Sequence, residues 1–139
     1  MLCVPAVLLC GDAAAQTDRS VPPGENPVYA ELQRAPKKSS TRRNPFANDP
    51  EALAGGAKLF AQHCAECHGA SAEGSKKAPS LRAPEVQQST PGTLFWLLTN
   101  GVVRKGMPVW SKLPDAQRWQ LVSYIKSLGV SESEASGRP

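Results

Sequence analysis

From residue 49 onward, apolar positions recur at helical spacing, and nowhere do they alternate with the two-residue period of a half-buried strand. Asp49 followed by Pro50 has the form of an N-cap and first-turn pair, and Glu51, Ala52, Leu53, Ala54, Ala57, Leu59, Phe60 and Ala61 carry a helix on from it. Gly55 and Gly56 interrupt this run at about 1 kcal/mol each relative to Ala, which marks a place where another backbone passes closely. A second helix opens at Thr90 and Pro91 and stops at Asn100 and Gly101; Leu94, Leu97 and Leu98 share one face, with Phe95 and Trp96 adjoining it. A third begins at Pro114 and Asp115 and ends at Gly129, with Leu121, Val122, Ile125 and Leu128 as its buried stripe and Trp119 and Tyr124 beside it. The fold class is therefore all-α, three main helices joined by loops.

The rest of the chain lacks this period. Residues 69–89 carry Gly, Ser, Lys and Pro, and such a structureless length inside a small domain requires something bulky to organise it. Residues 16–47, with Pro22, Pro23, Pro27, Pro36 and Pro45 among Ser and Arg, bury too little apolar surface to offset the entropy of ordering, and are expected to form a flexible extension. Residues 130–139 are polar and are expected to be a disordered tail, leaving 48–129 as the folded domain. The first fifteen residues are apolar and end in Ala13, Ala14 and Ala15, the form of an export signal with Gln16 as the mature start. No Lys or Arg precedes the apolar run, and it falls short of the roughly 20 residues that span a bilayer. A lipid-modified Cys10 is the alternative, set against Leu9 where such sites want a small residue. The expected location is the periplasm or another exported space.

The formal net charge is +4, and Lys37, Lys38, Arg42 and Arg43 lie close together in the extension. They read either as a solvated linker or as electrostatic docking toward an acidic protein or an anionic membrane surface. No aromatic residues interleave them, which argues against nucleic acid.

Cleavage after Ala15 removes Cys3 and Cys10 and leaves Cys64 and Cys67 to be explained. Three residues apart in a helical turn, they place both sulfurs on one side, within reach of the two vinyl groups on one haem edge, and His68 follows with an imidazole for the iron. A thioredoxin-like pair would sit at a strand-to-helix junction, and no strand precedes this motif. A zinc site would have to draw its ligands from His63, Cys64, Cys67 and His68, too close along the chain to surround one ion. A disulfide between Cys64 and Cys67 has nothing in its favour. For the second axial position there are few candidates. His63 is tethered to the same turn as His68 and is read as a surface residue. Met107, in Lys-Gly-Met-Pro-Val-Trp, stands between a permissive Gly106 and a stiffening Pro108, which suits holding a thioether at one point.

The stretch from Gly56 to Gly129 resembles the class I c-type cytochromes. Gly56 and Phe60 precede Cys-x-x-Cys-His-Gly, Pro79 and Leu81 follow it, Met107 is followed by Pro108, and the last helix bears aromatics. Gly-Thr-Leu-Phe-Trp-Leu-Leu-Thr-Asn-Gly and Gly-Met-Pro-Val-Trp are most similar to cytochrome domains associated with cbb-type oxidases and quinoprotein dehydrogenases. The resemblance implies a small cytochrome c fold wrapped around one covalently bound haem c, with the first and last helices crossing near Gly56 and Phe60 against Tyr124. It also implies that the carbonyl of Pro79 accepts a hydrogen bond from the His68 ring. Trp96, Arg82 and Trp110 either border the haem and its propionates or are core aromatics and a solvated guanidinium.

A His and Met pair favours ferrous iron and leaves no open coordination position. The expected function is thus single-electron transfer between exported redox proteins (an oxidase, a dehydrogenase or another cytochrome), as a carrier and not an enzyme. The alternatives are a haem sensor or gas-binding protein whose Met107 is displaced, and a peroxidase-like enzyme, for which no second His or Arg stands at a clear distal position.

Overall fold

A computed structural model describes residues 29–136. The expected leader, its cleavage point and residues 16–28 of the extension lie outside the described residues. In chain order the elements are a 3-10 turn Ala30–Arg34, α1 Lys37–Ser40, α2 Pro50–His63, α3 Ala65–His68, α4 Pro84–Gln88, α5 Pro91–Asn100, a second 3-10 turn Val103–Lys105, and α6 Asp115–Ser136. Among the described residues there is no strand, and one isolated antiparallel bridge joins Val102 to Met107.

The predicted start signals operate as capping side chains. Asp49 accepts from the backbone N–H of Glu51 and Ala52, and Thr90 accepts from that of Thr93; each is followed by a proline in the first turn, where no N–H is needed. α2 crosses α6 at Gly56, where a Cβ would lie 2.0 Å from the carbonyl oxygen of Gln120. One turn on, the rings of Phe60 and Tyr124 meet with centroids 5.2 Å apart. Phe60, Leu121 and Val122 are fully buried, and Val86, Leu94, Phe95, Leu98, Ile125 and Leu128 complete the core that α4, α5 and α6 close around them. Burying a side chain such as Phe60 contributes about 2–3 kcal/mol.

Three expectations need correction. Residues 29–47, read as a flexible extension, lie folded on the domain as a strap. Asn44 donates from Nδ2 to the Trp119 carbonyl (3.1 Å) and to Ser123 Oγ (2.8 Å), while its Oδ1 accepts from the Phe46 N–H (2.9 Å). Thr90 donates to the Ser40 carbonyl at 2.7 Å, and Gly92 makes room for the Ser39 carbonyl, which would stand 2.2 Å from a Cβ there. The Arg42 guanidinium sits 4.4 Å above the Phe95 ring, which itself stacks on Trp119 at 4.1 Å. A few well-placed side chains, not an apolar stripe, anchor the strap and offset the entropy of ordering it.

The last helix does not stop at Gly129 but continues to Ser136, into the segment read as a disordered tail. Gly129 serves packing: a Cβ there would be 2.5 Å from Gln87 Oε1, and the Gln87 amide donates to the carbonyls of Leu81 (2.7 Å) and Ile125 (2.9 Å). The 69–89 stretch, read as structureless, carries turns and hydrogen bonds of its own. Gly74 donates to the His68 carbonyl (2.7 Å), Leu81 to that of Ala72 (2.9 Å), and the fully buried Ala72 takes the left-handed conformation at φ 59°. α4 lies within this stretch and is fixed at its C-terminal end by Lys126, whose Nζ donates to the carbonyls of Gln87 and Ser89.

Candidate functional site

α2 ends where the motif begins. Cys64 donates its N–H to the Phe60 carbonyl (2.8 Å), and its own carbonyl accepts from Cys67 (3.1 Å) and His68 (2.9 Å), winding the five residues into the single turn of α3. Gly69, at φ 86°, turns the chain away. Cys64 is buried and Cys67 half-buried, and neither is in a disulfide. Burial first, and then the neighbouring Cys67, push the Cys64 thiol up to about 11. It is the reverse of the depressed value a thiolate nucleophile needs, which speaks against a thioredoxin-like role.

The His68 ring is held by its Nδ1, 2.8 Å from the Pro79 carbonyl. A carbonyl only accepts, so Nδ1 carries the proton. Burial lowers the His68 pKa from its ordinary value, an effect the Pro79 bond partly opposes. A neutral ring protonated at Nδ1 leaves the Nε2 lone pair free to ligate.

Met107 comes from a separate loop. The Val102 and Met107 backbones exchange hydrogen bonds at 3.0 and 3.2 Å, Gly106 closes the turn between them in the left-handed conformation, and the Trp110 N–H ties the loop to the Leu98 carbonyl of α5 at 2.9 Å. Gly101, at φ 64°, lets the Pro108 carbonyl approach to 2.6 Å of where a Cβ would be. Met107 is half-buried and packs against the same core that holds Cys64.

The structure thus gathers Cys64, Cys67, His68 and Pro79 in one knot and brings the Met107 loop onto the core they share. Of the other candidates, His63 is exposed, with its ring 5.2 Å from that of Trp110. Arg82 donates from Nε to the Ser71 carbonyl at 2.6 Å, bracing the proximal loop. Trp96 lines a cavity of about 340 Å³ with Arg42, Phe95, Asp115 and Arg118, on the strap side of α5. Sequence reasoning missed Tyr29, Glu31 and Arg104, which tie the strap to the two loops of the site and carry no periodic signal.

The donor set fits a c-type haem: two unpaired cysteines in one turn, an imidazole oriented with one nitrogen free, and a thioether on a backbone-locked loop. A helical domain built this way has the make-up of a c-type cytochrome. Residues 51–125 match the family model described as cytochrome c oxidase, cbb3-type, subunit III. The chain belongs to this family of class I c-type cytochromes. It is 34% identical over 94 residues to cytochrome c550 of Pseudomonas aeruginosa, covering 65% of each chain. It is 46% identical over 55 residues to the cbb3-type oxidase subunit CcoP of Rubrivivax gelatinosus, covering 40% of this chain and 16% of that one. A match to the quinohemoprotein alcohol dehydrogenase ADH-IIG of Pseudomonas putida is 37% identical over 82 residues, 57% of this chain and 11% of that enzyme. Among solved structures, cytochrome cL of Methylophaga aminisulfidivorans superposes with a TM-score of 0.55 at 25% identity, covering 71% of this chain and 74% of that one. The chain therefore spans less than two thirds of the length of these oxidase and dehydrogenase relatives. Among the described residues no helix is long and apolar enough to cross a membrane.

Proposed function

We propose that this chain is a one-electron carrier that holds a single haem c through thioethers at Cys64 and Cys67, with His68 Nε2 and Met107 Sδ as axial ligands. The observation that carries the reading is the 2.8 Å contact between His68 Nδ1 and the Pro79 carbonyl, one residue from the Cys-x-x-Cys turn. It fixes the tautomer and makes the ring a stronger donor.

A haem held there supplies an Fe(III)/Fe(II) couple. The chain's own part is to set that couple and protect it. Cys64 and Cys67 would hold the haem by thioethers, His68 would ligate the iron through Nε2, and Met107 would ligate it through Sδ and favour the reduced state. With no open position, substrate chemistry at the iron is disfavoured and electron exchange through the haem edge is left. The partners are redox proteins on the exported side of the membrane, of the kinds the relatives' names indicate: a terminal oxidase or a dehydrogenase. The apolar residues 1–15 are read as the export leader.

The test is the absorption spectrum of the reduced, haem-loaded protein before and after carbon monoxide, with a denaturing gel stained for haem. The expected outcome is haem retained on the polypeptide and a spectrum unmoved by carbon monoxide. A rapid shift with carbon monoxide would favour the gas-binding reading, with Met107 displaced.

A further inference from the structure

The strap touches both loops of the site within three residues. Tyr29 Oη donates to the Ser80 carbonyl at 3.1 Å, and Ser80 directly follows Pro79, whose carbonyl holds His68. Two residues on, the Glu31 carboxylate accepts from Arg104 Nη2, in the 3-10 turn that the Val102–Met107 bridge closes. Between them lies the start of the 3-10 turn Ala30–Arg34, seated on the core through Tyr29 and Leu32. Arg34 lies 3.6 Å from the second Glu31 oxygen, and the Glu31 side chain is 13% exposed, so the carboxylate is held between two guanidiniums at a largely covered position.

The loop that Glu31 grips needs holding. Val103 is 68% exposed, and no neighbour stands within 4 Å of where a Gly106 Cβ would be, so the tip of the Met107 loop projects from the body of the domain. Segments with few buried contacts open locally at low free-energy cost, and an outward swing of this loop would carry Met107 away from the site. Arg104 is on that tip, and its partner is on a segment outside the 51–125 family match.

We propose that residues 29–34 form a clamp across the site: Tyr29 holds the His68 loop, Glu31 holds the Met107 loop through Arg104, and the two together set how readily Met107 leaves the iron. Tyr29 and Glu31 are positioning residues, and this assignment rests on the reading of His68 and Met107 as the axial pair.

The test uses the full-length, haem-loaded ferric protein and measures the limiting rate at which saturating imidazole replaces the sixth ligand, together with the weak long-wavelength sulfur-to-iron absorption band. Glu31→Gln and Arg104→Gln should each raise that rate roughly fivefold, the scale of a lost ion pair of this kind, and the double variant should be no faster than either single one. Tyr29→Phe should raise it as well. Arg104 has a 62% exposed side chain, so its replacement leaves the core intact and keeps the test valid if a Glu31 variant does not fold. If the wild type shows the band, Met107→Ala abolishes it and the Glu31 and Arg104 variants keep the wild-type rate, the clamp is overturned while the ligand reading stands. If the wild type lacks the band and Met107→Ala changes nothing, the ligand reading fails and the clamp with it.

Discussion

The backbone carbonyl of Gln120 occupies the place where a side chain on residue 56 would begin, 2.0 Å from the position of a Gly56 Cβ. α2 and α6 can approach this closely only because that Cβ is missing, and the approach seats Phe60 on Tyr124 and delivers Cys64 at the end of α2. Gly56→Ala should therefore destabilise the holoprotein by about 3 kcal/mol, the upper range for overpacking, seen as a lowered midpoint in guanidinium unfolding. Gly55→Ala, whose Cβ would meet only the mobile amide end of Gln120 at 3.2 Å, should cost far less.

Asn44 joins the strap to α6 by two donated hydrogen bonds and fixes its own turn by a third. Asn44→Ala leaves the Trp119 carbonyl, Ser123 Oγ and the Phe46 N–H to find other partners, at about 2 kcal/mol. Urea unfolding of the holoprotein should show a lower midpoint with an unchanged slope, since the same surface is exposed.

Met107→Ala should lower the reduction potential by roughly 0.2 V, a fraction of the about 0.8 V that axial ligands span, and should let carbon monoxide bind the ferrous protein. Potentiometric titration gives the first and reduced absorption spectra the second. An unchanged potential would remove Met107 from the ligand set.

The Glu31 carboxyl is lowered from its usual 4.5, chiefly by the hydrogen bond from Arg104; burial opposes this as the next-largest effect, and the charges of Arg104, Arg34 and Lys105 add to the lowering. A depressed carboxyl stabilises the folded state above its unfolded value and loses that contribution as pH falls through its folded value. The stability gap between wild type and Glu31→Gln should thus be complete above pH 5 and close as the pH drops below 4.5 toward the lowered value. Thermal melts of both proteins across this range measure it.

α2, α5 and α6 were readable in the sequence because their ends are coded locally, by Asp49 with Pro50, Thr90 with Pro91, and Gly101, and their buried faces recur with helical period. The turn that gathers Cys64, Cys67 and His68 was readable because it depends only on spacing within five residues. The Pro79 carbonyl was expected through family resemblance, since a backbone acceptor leaves no mark of its own in a sequence. Gly129 misled because one residue type serves two purposes, ending a helix or admitting a neighbour, and only the position of Gln87 tells them apart. The strap was illegible for a deeper reason. Its order comes from Tyr29, Glu31, Asn44 and Phe46 meeting partners dozens of positions away, and no local pattern encodes such pairings.

The contact of Arg42 with both the Phe95 and Trp119 rings has a practical consequence for anyone borrowing this cytochrome as a module. A chain trimmed to the family match at residue 51 would lose Arg42 and the turn around it, uncovering the side of the Phe95–Trp119 pair that Arg42 covers and leaving Arg118 as the cation on Phe95. The portable unit therefore starts at least as early as Tyr29, where the strap begins to contact the domain.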